Sequence, residues 1–454
     1  MTTHNDDTIC ALATPTGGAL SIIRISGPEC IRTIITLCKK ITEETPANTI
    51  KHTEICDTKG HVIDDVMVSI YRAPHSYTGE DSAEVTCHGS HYIASKIIET
   101  LISNGCRQAM PGEFTQRAFL NGKLALEQAE AVADLIASTN AATHRMALSQ
   151  LRGNISSELA TLRDGLLKLT SLLELELDFS DHEDIEFADR SDLLKQATTI
   201  DNKIVRLADS FKTGNAIKKG IPVAIIGKTN VGKSTLLNQL LHDDKAIVSN
   251  IHGTTRDVIE DNTTIKGVTF RFIDTAGIRN TDDEVEQLGI ERTYKKIQEA
   301  TVILWLMDEL PSTEEIDKMA TLTKDKSLII VQNKIDILQS LFPDTIKDIP
   351  TLHISAKNGT GITELEETIY KAANIPEITE NDTIITSARH YEALQRSHES
   401  FIRVIDSIKN NLSGDLIAED LRIILSQLAE ITGKGIITPN EVLANIFQHF
   451  CVGK

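Results

Sequence analysis

The sequence has few aromatic residues and no paired cysteines. It holds one tryptophan in 454 residues, and aromatic side chains make up 4% of the chain. Its seven cysteines are scattered and include no C-x-x-C pair, the spacing typical of zinc sites. We therefore expect neither a zinc site nor a disulfide framework, as in a protein of the reducing cytosol.

Long hydrophobic runs are also missing. No apolar stretch approaches the ~18 residues that a membrane-spanning helix needs. Residues 1–7 are polar and acidic, which predicts no export signal. We expect a cytoplasmic protein without membrane association.

Basic residues are fewer than acidic ones: the chain has 46 Lys and Arg and 65 Asp and Glu, which gives a net charge of −19. Proteins that grip RNA through their own surface usually carry a basic face. Any contact with RNA is therefore expected to be shared with a more basic partner. The length leaves room for two to four domains.

Proline is absent from residues 112–221. Over most of this run apolar residues recur at spacings of three and four, as in the leucines at 159, 162, 166, 169 and 173, which predicts a bundle of long helices. Similar helical patterns follow from residue 387 and over 416–431. The acidic stretch 174–189 is either a solvated loop or helix start, or a docking surface for a basic partner.

Residues 1–117 have the pattern of a mixed α+β domain. The alternation over 62–71 predicts a strand, and the apolar spacing over 92–103 predicts a helix. Arg24 lies inside an apolar strand pattern, and by itself it is interpreted as an outward-pointing arginine at a strand edge.

A glycine-rich segment at 227–234 reads G-K-T-N-V-G-K-S, the pattern of a phosphate-binding loop. It follows the apolar run 222–226 and precedes a helical pattern at 235–241, as such a loop requires. Backbone N–H groups and the helix N-terminus would face the phosphates. Lys233 would reach the β- and γ-phosphates, and Ser234 would bind Mg²⁺.

Four further segments follow in the order of a GTP-binding domain. Residues 253–257 read G-T-T-R-D, where we choose Thr255 as a second Mg²⁺ ligand, and 274–277 read D-T-A-G. In the segment Asn333-Lys334-Ile335-Asp336, the carboxylate of Asp336 can accept two N–H bonds from guanine, which adenine does not offer. A backbone N–H of the last segment, 355–357, can bond guanine O6.

These segments predict a Ras-like α/β GTPase domain at 218–376, inserted into a helical domain formed by 118–217 and 377–454. The predicted GTP-binding residues are Asn230, Val231, Gly232, Lys233, Ser234, Thr235, Ser249, Asn250, Ile251, His252, Gly253, Thr254, Thr255, Asp274, Thr275, Ala276, Gly277, Asn333, Lys334, Ile335, Asp336, Ser355, Ala356 and Lys357.

The glutamine that orients the attacking water in Ras-like switches is absent, since Ile278 follows D-T-A-G. Unaided hydrolysis by such a protein runs at roughly 10⁻⁴ s⁻¹. The missing charge and water positioning must come from a partner's arginine, a second cation or a repositioned carboxylate.

The whole chain resembles the MnmE (TrmE) family of bacterial tRNA-modification GTPases. The resemblance is carried by I-R-I-S-G-P at 23–28, Y-T-G-E-D at 77–81, P-G-E-F-T-Q-R-A-F-L-N-G-K at 111–123, G-T-T-R-D at 253–257 and the terminal F-C-V-G-K. It implies a multidomain α/β and α+β protein with a folate-binding-like N-terminal domain, a helical bundle and an inserted GTPase domain.

The resemblance implies that residues 1–117 form a homodimer and bind 5-formyl-tetrahydrofolate or a related formyl-folate. Matched motif to motif, Arg24, Glu84, Lys123 and Lys454 would line that site. A carboxylate suits the N–H edge of a pterin, and cations suit the glutamate tail. Cys451 is either close to the one-carbon unit or a small buried hydrophobe.

The resemblance also implies a source for the missing positive charge, because GTPase domains of this family dimerise across the nucleotide and capture K⁺. By position Asn230, Ser249, Ile251 and Thr254 would bind K⁺, for which oxygen donors are suitable. Glu286 would orient the water and is the predicted catalytic residue.

The implied activity is GTP-driven addition of a carboxymethylaminomethyl-type group to carbon 5 of the wobble uridine of certain tRNAs. The implied partner is a flavoprotein, MnmG (GidA), which would form a heterotetramer with this chain and grip most of the tRNA. The alternative is a regulatory GTPase of ribosome assembly. Such proteins usually carry a basic RNA-binding appendage, which this sequence does not show.

Overall fold

The computed structural model describes residues 7–178, 190–242, 261–273, 297–338, 340–376, 379, 382–433, 446–447, 450 and 453. The chain divides into two compact units. One contains residues 1–136, 150–202 and 393–454, and the other contains residues 137–149 and 203–392.

The first unit contains a mostly antiparallel sheet with three helices close to it in sequence. Its strands are β1 (Ile9–Leu12), β2 (Leu20–Ser26), β3 (Thr49–Cys56), β4 (Val62–Tyr71), β5 (Ser82–His88) and β6 (Arg107–Gln108), in the order β3-β4-β5-β2-β1-β6. The helices are α1 (Cys30–Leu37), α2 (His91–Ser103) and α3 (Glu113–Leu120). The strand predicted over 62–71 and the helix predicted over 92–103 are confirmed.

The alternation along β4 shows why this segment is a strand. Val66, Val68 and Ile70 are buried, whereas Met67 between them is 42% exposed. Every second side chain therefore enters the core, which is the period of a pleated strand. The β2 strand lies between β5 and β1, in the interior of the sheet. The interpretation of Arg24 as a strand-edge residue is therefore wrong.

Long helices follow, as the absence of proline predicted. They are α4 (Leu126–Ala137), α5 (Ala141–Leu151), α6 (Asn154–Asp178), α7 (Arg190–Lys219), α11 (Ala388–Lys409) and α12 (Gly414–Thr432). The predicted leucine stripe of α6 is buried at residues 159, 162, 166, 169 and 173. The α6 helix continues into the acidic stretch as far as Asp178. The rest of that stretch, 179–189, lies outside the described residues.

The second unit is built on a mostly parallel sheet. Its strands are β7 (Ile221–Ile226), β8 (Asp261–Ile265), β9 (Val268–Phe272), β10 (Val302–Met307), β11 (Ser327–Gln332), β12 (Thr345–Ile346) and β13 (Ile349–His353), in the order β12-β13-β11-β10-β7-β9-β8. Its helices include α8 (Lys233–His242), α9 (Thr313–Leu322) and α10 (Ile362–Ala372). Among the described strands, β8 pairs antiparallel with β9 and β12 pairs antiparallel with β13, whereas the other pairings are parallel.

The parallel strands place the predicted nucleotide segments at one edge of this sheet. The β13, β11, β10, β7 and β9 strands run in parallel, so their carboxyl ends lie together. Ligands of open α/β sheets bind outside these ends. The segments at 227–234, 333–336 and 355–357 follow β7, β11 and β13 respectively. Among the described residues, no helix is long and apolar enough to cross a membrane.

Candidate functional site

The glycine-rich loop after β7 has the tight backbone that its sequence predicts. A side chain at Gly227 would place its Cβ 2.2 Å from the carbonyl oxygen of Leu306, so only glycine fits against β10. Asn230 has a left-handed backbone with φ of 62°. The loop therefore bends sharply and delivers Lys233 as the first residue of α8.

The Lys233 ammonium is held against this loop by backbone carbonyls. Its Nζ donates to the carbonyl oxygen of Gly227 at 2.8 Å and to that of Lys228 at 2.6 Å. The next two residues, Ser234 and Thr235, occupy the first turn of α8. This arrangement places a cation beside backbone N–H groups at a helix N-terminus, a combination that suits phosphate.

The buried side chain of Asn333 connects the loop to two other segments. Its Nδ2 donates to the carbonyl oxygen of Val231 at 2.8 Å, and its Oδ1 accepts from the Ala356 N–H at 2.9 Å. A Cβ at Gly232 would lie 2.3 Å from the Asn333 Nδ2, so the glycine is required for this approach. The structure thus brings three of the predicted segments into one site.

The carboxylate of Asp336 is held by a hydroxyl of the last segment. Ser355 Oγ donates to Asp336 Oδ1 at 2.7 Å, and Ser355 itself is buried. The backbone N–H of Ile335 donates to the carbonyl oxygen of Ile354 at 3.3 Å. One carboxylate oxygen is therefore fixed by the protein, which sets the direction of a group suited to the N1 and N2 edge of guanine.

A large part of the predicted site lies outside the described residues. It comprises Ser249, Asn250, Ile251, His252, Gly253, Thr254, Thr255, Asp274, Thr275, Ala276, Gly277 and Glu286. The second Mg²⁺ ligand, three of the K⁺ ligands and the catalytic carboxylate consequently stay predictions.

A second candidate site surrounds Arg24 in the first unit. Arg24 and Glu84 are register partners on β2 and β5, and Arg24 Nε donates to Glu84 Oε1 at 2.9 Å. The guanidinium also donates from Nη1 to the carbonyl oxygen of Gly453 at 3.2 Å. Its Cζ lies 5.6 Å from the ring centre of Tyr77 and 5.7 Å from that of Phe114.

Lys123 contacts the segment that carries Tyr77. Its Nζ donates to the carbonyl oxygen of Pro74 at 2.9 Å, and a Cβ at Gly79 would lie 3.3 Å from its Cγ. The structure therefore brings Arg24 and Glu84 together and places Lys123 on the 74–79 segment. Lys454 and Cys451 lie outside the described residues, although Gly453 beside them is at the Arg24 site.

A cluster of ion pairs around Arg117 and Arg107 lies next to this second site. Arg117 is 3% exposed and pairs with Asp7, Glu80 and Glu113, while Arg107 also pairs with Asp7 and Glu113. Burial raises the pKa of Asp7 and of Glu113, but hydrogen bonds from the arginines outweigh it and lower both pKa values. These two carboxylates therefore stay ionised, and Arg117 connects them to Glu80 in the segment after Tyr77.

Sequence reasoning did not assign four residues that contact predicted site residues. Tyr77, Phe114 and Gly453 contact Arg24, and each is part of a motif or adjoins a residue that had been singled out. The fourth, Asp308, pairs with Lys334. Its position directly after the buried strand β10 is the signal that would have identified it.

Two sequence profiles of known families match the chain. The profile described as "GTP-binding protein TrmE N-terminus" matches residues 8–123, and that described as "MnmE helical domain" matches residues 126–451. Between them the profiles span both units.

Curated relatives match over nearly the full length. A protein of Phocaeicola vulgatus is 51% identical over 99% of this chain and 99% of its own length. One of Bacteroides fragilis is 53% identical over 99% of this chain and 100% of its own length. One of Flavobacterium johnsoniae is 47% identical over 99% of this chain and 100% of its own length. All three are named "tRNA modification GTPase MnmE".

Proposed function

Because the chain belongs to the MnmE family of tRNA modification GTPases, we propose that it hydrolyses GTP to drive modification of the tRNA wobble uridine. With the flavoprotein MnmG (GidA) it adds a carboxymethylaminomethyl-type group to carbon 5, using a one-carbon unit from formyl-tetrahydrofolate. The observation that carries the nucleotide part is the bridge from Asn333 to Val231 and Ala356 beside the fixed carboxylate of Asp336.

In this proposal the glycine-rich loop, the start of α8 and Asp336 bind and orient the nucleotide. The loop N–H groups and Lys233 meet the β- and γ-phosphates, and Ser234 at the start of α8 holds Mg²⁺, with Thr255 as its second protein ligand. Asp336 accepts the two guanine N–H groups, which selects GTP over ATP. A bound Mg²⁺ supplies charge that offsets the phosphate oxygens.

Potassium would supply the positive charge that the GTPase site needs for hydrolysis. Asn230 has an exposed side chain and a left-handed backbone in the glycine-rich loop, so its amide oxygen can reach a cation beside the phosphates. Ser249, Ile251 and Thr254 complete the proposed ligand set, and Glu286 orients the attacking water. Bound K⁺ supplies positive charge where negative charge develops during hydrolysis.

The donor set around Arg24 fits a formyl-folate. Glu84 offers a carboxylate for the N–H edge of a pterin, and Tyr77, which is 41% exposed, offers a flat ring surface. Lys123 and Lys454 are cations for the glutamate tail. The bound cofactor carries the one-carbon unit. The protein's residues hold and orient it.

The proposed assembly is a cytoplasmic homodimer that joins MnmG in a heterotetramer. The net charge of −19 favours a more basic partner that grips the tRNA. A ribosome-assembly switch is less well supported, because tRNA modification GTPases match 99% of this chain.

Nucleoside analysis of tRNA tests this function. We expect the chain, expressed in a bacterium that lacks its own family member, to restore the modified wobble uridine. Lys233→Ala should abolish it, and deletion of Lys454 should abolish it without loss of GTP hydrolysis. Lys324→Ala, at an exposed lysine of the same unit, is the matched control. Full modification by the Lys233 variant would overturn the proposal.

A further inference from the structure

An ion pair joins two loops at the carboxyl edge of the second sheet. Lys334 Nζ donates to Asp308 Oδ2 at 2.8 Å, and about a third of each side chain is exposed, 32% for Lys334 and 34% for Asp308. Asp308 directly follows β10. Lys334 is the second residue after β11, the neighbouring parallel strand.

The backbone around this pair is fixed on both sides. Met307 and Gln332 are register partners, and the N–H of Asn333 donates to the carbonyl oxygen of Met307 at 2.8 Å. Lys334 has a left-handed backbone with φ of 65°, an uncommon conformation for a residue with a side chain. The direction in which the lysine leaves the chain is therefore set by the surrounding structure.

Lys334 lies in the segment that would read the base. Its neighbour Asn333 is bound to the glycine-rich loop, and Asp336, two residues further on, is bound to Ser355. A lysine stem is apolar along four methylene groups and can cover a flat ring while its ammonium is bound elsewhere.

We propose that Asp308 is a positioning residue for the guanine base, because its ion pair holds the Lys334 stem in place to cover one face of the ring. This inference rests on the proposed nucleotide site and adds a residue to it. Asp308 acts through Lys334 and does not itself touch the nucleotide. Asp308 would influence the contact of Lys334 with the face of the guanine ring, whereas Asp336 would bind the N–H groups at the edge of the ring.

Asp308 can be substituted with little effect on the packing around it. A cavity of about 320 Å³ adjoins it, lined in part by Gln332, Leu338 and Phe342. Replacement by alanine or glutamate therefore breaks little packing. An exposed ion pair elsewhere in the same unit, Asp317 with Lys347, provides a matched control.

Electrostatic repulsion alone predicts the opposite change in nucleotide affinity when Asp308 is replaced, so the sign of the change distinguishes the two explanations. Removing a carboxylate near a polyanionic ligand weakens repulsion and should tighten binding. If Lys334 loses its fixed position, nucleotide binding should weaken instead. We expect about fivefold weaker binding of both GTP and GDP in Asp308→Ala, the scale of a partly exposed ion pair.

The test is fluorescence titration of the full chain with N-methylanthraniloyl GTP, GDP and ITP. Asp308→Ala should weaken all three about equally, and Asp308→Glu should recover part of the loss. In steady-state hydrolysis of GTP, Asp308→Ala should change KM more than kcat. Asp317→Asn should bind like the wild type. Unchanged or tighter binding by Asp308→Ala would overturn the inference.

Wild-type controls separate this failure from failure of the nucleotide site. If the wild type binds no guanine nucleotide, the proposed site itself is wrong, and the role of Asp308 falls with it. If the wild type binds and Asp336→Asn loses its preference for guanine, while Asp308→Ala has no effect, only the positioning role is wrong.

Discussion

The side chain of Asn333 donates to the carbonyl oxygen of Val231 at 2.8 Å, which ties the end of β11 to the glycine-rich loop after β7. The same amide accepts from the Ala356 N–H at 2.9 Å. One buried residue therefore fixes the spacing between the phosphate side and the base side of the site.

Replacing this residue should weaken nucleotide binding. Asn333→Ala leaves a carbonyl and an N–H without their partners, and each such loss costs about 1–3 kcal/mol. If half of the summed cost appears in binding, the affinity for GTP falls roughly 5-fold to 150-fold. Titration with a fluorescent GTP measures this directly. Asn262→Ala, at an exposed position of β8, should bind like the wild type, and equal affinities for the two variants would contradict the bridging role.

Arg117 should be essential for the stability of the first unit. Arg117→Met leaves Asp7, Glu80 and Glu113 with one arginine fewer, and breaking a buried pair costs about 3–5 kcal/mol. Urea unfolding monitored by circular dichroism gives the difference. Arg32→Met removes an arginine whose side chain is 80% exposed and should change stability by less than about 1 kcal/mol. Similar losses for both variants would contradict the buried-network explanation.

Acid should destabilise the same cluster. The pKa values of Asp7 and Glu113 lie below their usual values of 3.8 and 4.5 in the folded chain, because the arginines favour the ionised forms. Their contribution is complete above those usual values and is lost as the pH falls through the lowered pKa values. Unfolding free energies measured from about pH 6 to about pH 3 should therefore decline below about pH 4.5.

The acid response has its own variant test. Glu113→Gln should be less stable than the wild type near neutral pH and should lose less stability on acidification. Glu29→Gln, at a side chain that is 61% exposed, should follow the wild-type curve. An unchanged pH dependence in the Glu113 variant would show that this carboxylate is not one of the groups responsible.

Potassium should accelerate GTP hydrolysis. At equal ionic strength we expect faster turnover in KCl than in NaCl, since K⁺ bound at Asn230 would supply positive charge where negative charge develops during hydrolysis. Asn230→Ala should lose the stimulation and still bind GTP. Equal slow rates in both salts would contradict the potassium mechanism and favour an activating partner.

Local patterns predicted most of the fold. The alternation of residue types over 62–71 predicted β4, and the leucine spacing predicted α6. The glycine-rich loop lies between a strand and a helix, as expected. These signals are local because each strand or helix presents its own apolar face to a core. The segment 62–71 matched residue for residue.

Pairings distant in sequence were harder to predict. Arg24 seemed to be an edge residue because nothing near it shows that β2 lies between β1 and β5. Its contact with Gly453 joins residues 429 positions apart. Asp308 and Lys334 meet only because β10 and β11 are parallel neighbours. Sheet order decides these contacts, and a local pattern does not encode it.

The proposed coupling of GTP hydrolysis to tRNA chemistry is tested most directly by reconstitution. The reaction would contain the purified chain, MnmG, tRNA, the folate, reduced flavin and an amine donor (glycine or ammonium), together with GTP or a non-hydrolysable analogue. The tRNA nucleosides would be measured by mass spectrometry. We expect the modified wobble uridine with GTP in KCl and none with the analogue. Equal modification with both nucleotides would contradict a reaction driven by hydrolysis.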